Sequence, residues 1–137
     1  EAVDDRWDEV RSRIELDPEV VDPDATEGLE LFSHAEVIFV FDRVDGTTVC
    51  RGARHPRGNT NWPLVGILAQ RAKDRPNRLG LTTCRIVSVD GLVIEVAGLD
   101  AIDGTPVLDI KPRMSGFDAR GDVAEPAWAR ELMSGYW

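Results

Sequence analysis

The chain has 137 residues, 42% of them hydrophobic and 30% charged, with a formal net charge of -9 at pH 7. Length and mix predict a single folded domain over residues 1–137 with a real core, and exclude a disordered chain. The negative balance argues against a general polyanion-binding surface, because contacts to phosphate depend on neutralising Lys and Arg.

In chain order, "DDRWDEVRSRIEL" sets Trp7, Val10 and Ile14 at helical spacing behind a capping Asp4 or Asp5, which predicts a short amphipathic helix. Pro18 and Pro23 interrupt the next segment, and residues 25–32 have room for one or two helical turns. "AEVIFVFDRV" is rich in β-branched and aromatic residues and predicts a buried strand over residues 36–43, with "GTTVCRG" as its partner after the "VDG" turn. "ARHPRGNTNWP" is turn chemistry throughout, "LVGILAQ" a second short strand and "RAKDRPNRLG" a loop. The run "LTTCRIVSVDGLVIEVAGLD" holds two alternating segments joined by Asp90-Gly91, a strong hairpin signal. "TPVLDIKP" adds a strand, and "EPAWARELMSGYW" a helix that starts near Pro126 with Trp128, Leu132 and Met133 on one face. The expected class is therefore mainly β, a small β-barrel of short strands with flanking N- and C-terminal helices. A doubly wound nucleotide-binding fold would alternate strands with helices and carry a glycine-rich turn after its first strand, and neither is present.

No apolar run approaches the roughly 20 residues of a membrane-spanning helix, and the first residues lack the blocks of a signal peptide. A cytoplasmic location is expected. Cys50 and Cys84 lack metal-ligand spacing, and His34 and His55 have no nearby cysteine, so no metal site is expected and both thiols are expected to be reduced.

The chemistry-bearing residues gather in two loops. Asp100 and Asp103 flank Ala101 and Ile102 ahead of Gly104, where paired carboxylates either accept hydrogen bonds from ribose hydroxyls or an ammonium group, or simply cap an Asp-rich turn. Asp109 and Lys111 alternate on the following strand and point to one face of it, where a surface ion pair is the simplest explanation. In "AQRAKDRPNRLG", Arg71 and Arg75 stand four apart, and Pro76 forbids a continuing helix; a guanidinium fork there suits a carboxylate or phosphate, and Asn77 offers a directional amide. The stretch from Arg51 to Arg78 carries seven basic residues against Asp74 alone, either a solvated loop or a binding patch. Trp128, Tyr136 and Trp137 read as core or interface packing.

"FSHAEVIFVF", "VGILAQRAKDRPNRLGL" and "LDAIDGTPVLDIKP" together resemble the hallmark blocks of the TsaA-like, or TrmO, family of S-adenosylmethionine-dependent tRNA methyltransferases, a likeness that covers residues 28–112. The resemblance implies a β-barrel enzyme, usually a homodimer, that methylates the exocyclic nitrogen of threonylcarbamoyladenosine beside the anticodon of tRNA. It implies S-adenosylmethionine contacts at Asp42, Arg43, Arg71, Leu81, Asp100, Ala101, Ile102 and Asp103, with Leu81 and Ile102 walling the adenine and Arg71 clamping the tail carboxylate. Arg75, Asn77, Arg78, Asp109 and Lys111 are expected to face the substrate. Arg54, Arg57, Lys73, Arg75 and Arg78 are expected to form a phosphate-facing patch for tRNA. Asp103, Asp109 and His34 are candidates for a general base, none of them singled out by local sequence. The strand with which the family usually opens is expected to be missing. Two other readings remain, a methyltransferase of the same fold acting on a small molecule and a non-catalytic S-adenosylmethionine-binding module.

Overall fold

The computed structural model describes residues 4–137. Its centre is a five-stranded, wholly antiparallel sheet in the order β1-β6-β5-β2-β7, built from Arg11–Glu15 (β1), His34–Val40 (β2), Leu79–Asp90 (β5), Val93–Ala97 (β6) and Val107–Pro112 (β7). A two-residue ladder pairs Ala53–Arg54 (β3) with Val65–Gly66 (β4). Among the described residues the one α-helix is Ala127–Met133 (α1), with Pro126 as its N-cap.

Alternation explains the strands. On β2, Ala35, Val37 and Phe39 are buried while the residues between them are half-open; on β5, Gly80, Thr82 and Cys84 point inward. Their partners Ile14, Ile94, Val96 and Leu99 complete the core, with Phe39 set edge-on to Phe41 at a ring separation of 5.1 Å. Each fully buried side chain of this size contributes about 1.5–3 kcal/mol. The closest approach is at Gly80, where a Cβ would stand 2.5 Å from the Phe39 ring, so a side chain has no room opposite that aromatic. The Asp90-Gly91 hairpin forms as expected, with Gly91 at a positive φ of 57°. Thr26 donates to the Gly91 carbonyl at 2.6 Å and so ties the preceding loop to the hairpin tip.

Several expectations fail. The sheet is not a barrel: β1 pairs only with β6 and β7 only with β2, so the two outer strands never meet. The predicted N-terminal helix is instead β1, because Arg11–Glu15 also alternates and buries Ile14 against Ile94 on β6; the pairing partner, distant in sequence, overrides the helical spacing of Trp7, Val10 and Ile14. The segment "GTTVCRG" forms no partner strand, since the Asp45 carboxylate accepts from the Thr47 amide at 2.9 Å and winds Gly46–Thr48 into a 3-10 turn. The expected strand "LVGILAQ" shrinks to β4 and passes into a 3-10 turn over Ile67–Ala69. The strand predicted over residues 36–43 begins at His34 and stops at Val40, where the Asp42 amide turns back onto the Val40 carbonyl at 2.9 Å.

Unequal strand lengths position the site. β5 has twelve residues and β6 five, so β5 pairs with β2 over residues 79–85 and with β6 only from Arg85 onward. The first half of β5 thus has one edge that no strand covers, and two loops fill it.

Candidate functional site

The first of these loops follows β4. Gln70 is buried, and its amide donates to the carbonyls of Arg54 and Val65 at 3.0 and 3.1 Å, closing β3 against β4. Arg75 reaches back to the carbonyls of Gln70 and, at 3.4 Å, Ile67. With Gln70 fixed from both sides, Arg71 is delivered to β5, where its guanidinium donates to the Leu81 carbonyl. Leu81 itself is about half exposed.

The second loop leaves β6 through Gly98, at φ 86°, and Leu99, which is buried in the core. Asp100 is half-buried, and its two carboxylate oxygens accept separately from the Thr82 and Tyr136 hydroxyls. Arg71 and Asp100 therefore meet neighbouring residues of one strand. Beyond Asp100, Ala101 packs on the core, Ile102 is 37% exposed and Asp103 faces solvent. The Thr105 amide and hydroxyl both donate to the Ile102 carbonyl, at 3.2 and 2.6 Å, and close the turn. Arg43 joins from the end of β2: a Cβ on Gly104, whose φ is 82°, would lie 3.0 Å from its guanidinium. Asp42, next to it, is exposed.

The electrostatics agree with this closeness. Burial, and then the nearby Asp100 charge, push the Cys84 thiol up to about 11, so it stays protonated. Burial and the bond to Asp100 raise the Tyr136 phenol well above its ordinary value, with the Arg57 and Arg71 charges pulling the other way. Tyr136 is held as a donor.

Other expected residues are used differently. Asn77 accepts from the Leu79 amide at 3.0 Å and shapes its own turn; Arg78, at φ 54°, donates to the Val44 carbonyl at 3.0 Å. Asp109 and Lys111 form a 3.0 Å ion pair on the outer edge of β7, and Asp109 also accepts from the Ile110 amide. The His34 ring shares a 2.7 Å hydrogen bond with Ser33. The basic segment is largely committed inward: Arg54 pairs with Asp74 and Arg57 with Asp5, each at 3.0 Å, while Arg75 and Arg78 bind carbonyls. Lys73 alone of the five has no hydrogen-bond or ion-pair partner among the described residues. No cluster of metal-ligating side chains occurs among the described residues. A concavity of about 330 Å³ is lined by Gly116–Arg120, and one of about 200 Å³ by His34, Cys84, Arg85, Gly98 and Trp137 among others; neither contains Arg71 or Asp100.

Sequence reasoning missed Thr82 and Tyr136. Thr82 had a signal, a hydroxyl on the inward face of β5 between Gly80 and Cys84, where a buried polar group demands a partner. Tyr136 had none, because its contact is 36 residues away in sequence.

An open antiparallel sheet carrying an Arg loop and an Asp loop on one uncovered strand edge defines a small β-protein with a loop-built polar site, distinct from the doubly wound nucleotide binders. Residues 5–119 match the tRNA-methyltransferase O N-terminal domain, and the chain belongs to that family. It is 38% identical over 117 residues to the tRNA (adenine(37)-N6)-methyltransferase of Homo sapiens, covering 85% of this chain and 25% of that protein. It is 38% identical over 119 residues to a probable S-adenosyl-L-methionine-binding protein of Methanothermobacter thermautotrophicus, covering 85% of this chain and 79% of that protein. The crystal structure of TrmO from Pseudomonas aeruginosa superposes with a TM-score of 0.65 at 34% identity, over 83% of this chain and 47% of that one. The chain thus spans a quarter of the human relative and about half of the crystallised one.

Proposed function

We propose that this domain binds S-adenosylmethionine at the uncovered edge of β5 and methylates N6 of adenine in tRNA, on a threonylcarbamoyladenosine beside the anticodon. The observation that carries the reading is the tethering of Arg71 and Asp100 to the adjacent residues Leu81 and Thr82, in a chain whose relatives are named for adenine-37 methylation and for S-adenosylmethionine binding.

The donor set fits that cofactor. A carboxylate has about four acceptor positions, and Asp100 spends two on Thr82 and Tyr136, leaving capacity for a diol or an ammonium group. A guanidinium has five N–H donors; Arg71 spends one on Leu81 and keeps others for a carboxylate. Leu81 and Ile102 offer half-open apolar surface for a planar base. S-adenosylmethionine supplies, when bound, a methyl group on a sulfonium centre. The protein's contribution is placement, which in a displacement reaction supplies a large share of the rate. The acceptor nitrogen is a weak nucleophile because its lone pair is delocalised, so removal of its proton assists, typically by about 100- to 10,000-fold. Asp103 is the group we assign to that proton: of the three candidates it is the one without a side-chain partner among the described residues, Asp109 being paired and His34 bonded to Ser33.

The internal pairing of Arg54, Arg57, Arg75 and Arg78, together with the net charge of -9, favours a second reading, methylation of a small molecule by the same site. Nucleoside mass spectrometry of tRNA from cells lacking the gene separates the two. Loss of the methylated threonylcarbamoyladenosine supports tRNA, and an unchanged level rejects it. The functional unit we infer is a homodimer in the cytoplasm, supported by the family resemblance and by the exposed Leu79 on the outer face of β5; a monomer mass in light scattering rejects the dimer.

A further inference from the structure

Residues 120–137 lie beyond the stretch that matches the family's domain, yet they return to the site. α1 is anchored by the Trp62 indole, which donates to Glu131 at 2.7 Å. After α1 the backbone runs against the N-terminal segment, with Arg6 and Trp7 amides donating to the Gly135 and Tyr136 carbonyls at 3.2 and 2.9 Å. The Tyr136 ring stands edge-on to Trp137 at 4.8 Å. These contacts fix the position of Tyr136, whose hydroxyl then reaches Asp100.

We propose that Tyr136 is a positioning residue for the cofactor site: with Thr82 on the other oxygen, it holds the Asp100 carboxylate and its loop in one orientation, so that the segment after the domain sets cofactor affinity. The reasoning rests on Asp100 being a cofactor ligand, as proposed above. A carboxylate on a loop rotates freely unless each oxygen is tethered, and ordering it before binding removes a cost that would otherwise fall on the ligand. Two hydroxyls on two oxygens accomplish this while leaving acceptor capacity on both. The raised titration of Tyr136 keeps the donor in place across the physiological range.

The test uses Tyr136→Phe, which keeps the ring and removes the hydroxyl, with S-adenosylmethionine titrated calorimetrically into wild type, Y136F, D100N and the double variant. Roughly tenfold weaker binding is expected for Y136F, the size of one lost hydrogen bond to a charged group, with no further loss when Y136F is added to D100N. In the ligand-free protein, hydrogen exchange should quicken in residues 98–105 while the β2 and β5 core amides keep their protection. Unchanged affinity and exchange overturn the inference, as does tighter binding, which would make Tyr136 a competitor for Asp100, or loss of protection throughout the sheet, which would make it merely structural. Failure of wild type itself to bind S-adenosylmethionine rejects the cofactor assignment instead.

Discussion

Arg71 and Asp100, 29 positions apart, are held by the side-by-side residues Leu81 and Thr82 on the uncovered edge of β5. Replacing Arg71 by alanine should leave the sheet intact, because the lost bond is to an exposed carbonyl, but should weaken S-adenosylmethionine binding by roughly tenfold or more, as expected for losing a charged fork. Arg71→Lys should restore only part of it, since an ammonium cannot make two parallel bonds. Calorimetry of the three proteins, with ligand-free melting as a control for folding, checks both statements.

Gly80→Ala tests how tightly the strand beneath the site is packed. The new methyl would fall 2.5 Å from the Phe39 ring, which is itself buried and braced by Phe41. We expect a loss of about 1–3 kcal/mol in denaturant unfolding, the usual cost of overpacking. Gly46→Ala, with nothing within 4 Å of its Cβ, should cost far less.

The basic segment divides into structural and free charges. Lys73→Ala should lower tRNA affinity and reduce the slope of log affinity against log salt by about 1, the signature of one phosphate contact. Arg75→Ala should act on stability instead, because it abandons the Gln70 and Ile67 carbonyls that shape the Arg71 loop. If Lys73→Ala leaves both affinity and slope untouched, phosphate contacts lie elsewhere.

Alkaline pH should destabilise the fold through Cys84. Its thiol sits at about 11 in the folded protein against 9.0 when unfolded. Above pH 9 the unfolded chain releases a proton that the folded one retains, so this contribution to stability is complete below pH 9 and drains away as pH rises toward 11. Tyr136, also raised, extends the decline to higher pH. Urea midpoints measured from pH 7 to 11 should be flat at first and then fall, and Cys84→Ala should delay the onset of the fall from about pH 9 to about pH 10, where Tyr136 begins to contribute.

Segments whose neighbours in sequence decide their fate were legible before the structure. β2 and β7 follow from their composition, and the β5–β6 hairpin from Asp90-Gly91 between two alternating runs. β1 was not, because "RSRIE" carries both periods and only its pairing with β6, far along the chain, selects the strand. Closure into a barrel likewise depends on whether β1 meets β7, which no local pattern encodes. At the site, the Arg and Asp blocks stood out as clusters, but local sequence left an Asp-rich turn and solvated arginines open, and their cofactor roles came only from the family resemblance. The sequence could not reveal that Arg75, Asn77 and Arg78 spend their donors and acceptors on their own loop, since backbone carbonyls and amides are invisible as targets.

An unclosed sheet has two margins at which another chain could attach by main-chain hydrogen bonds, the first step toward fibres. At one margin β7 ends in Pro112, which has no amide to offer, carries the Asp109–Lys111 charges outward, and breaks step between Ile38 and Phe39 of its neighbour. At the other, β1 sets Arg11, Arg13 and Glu15 in exposed alternation. Both borders are thereby poor templates for a stranger's strand, so concentrated preparations should resist amyloid-type growth even though the sheet never closes on itself.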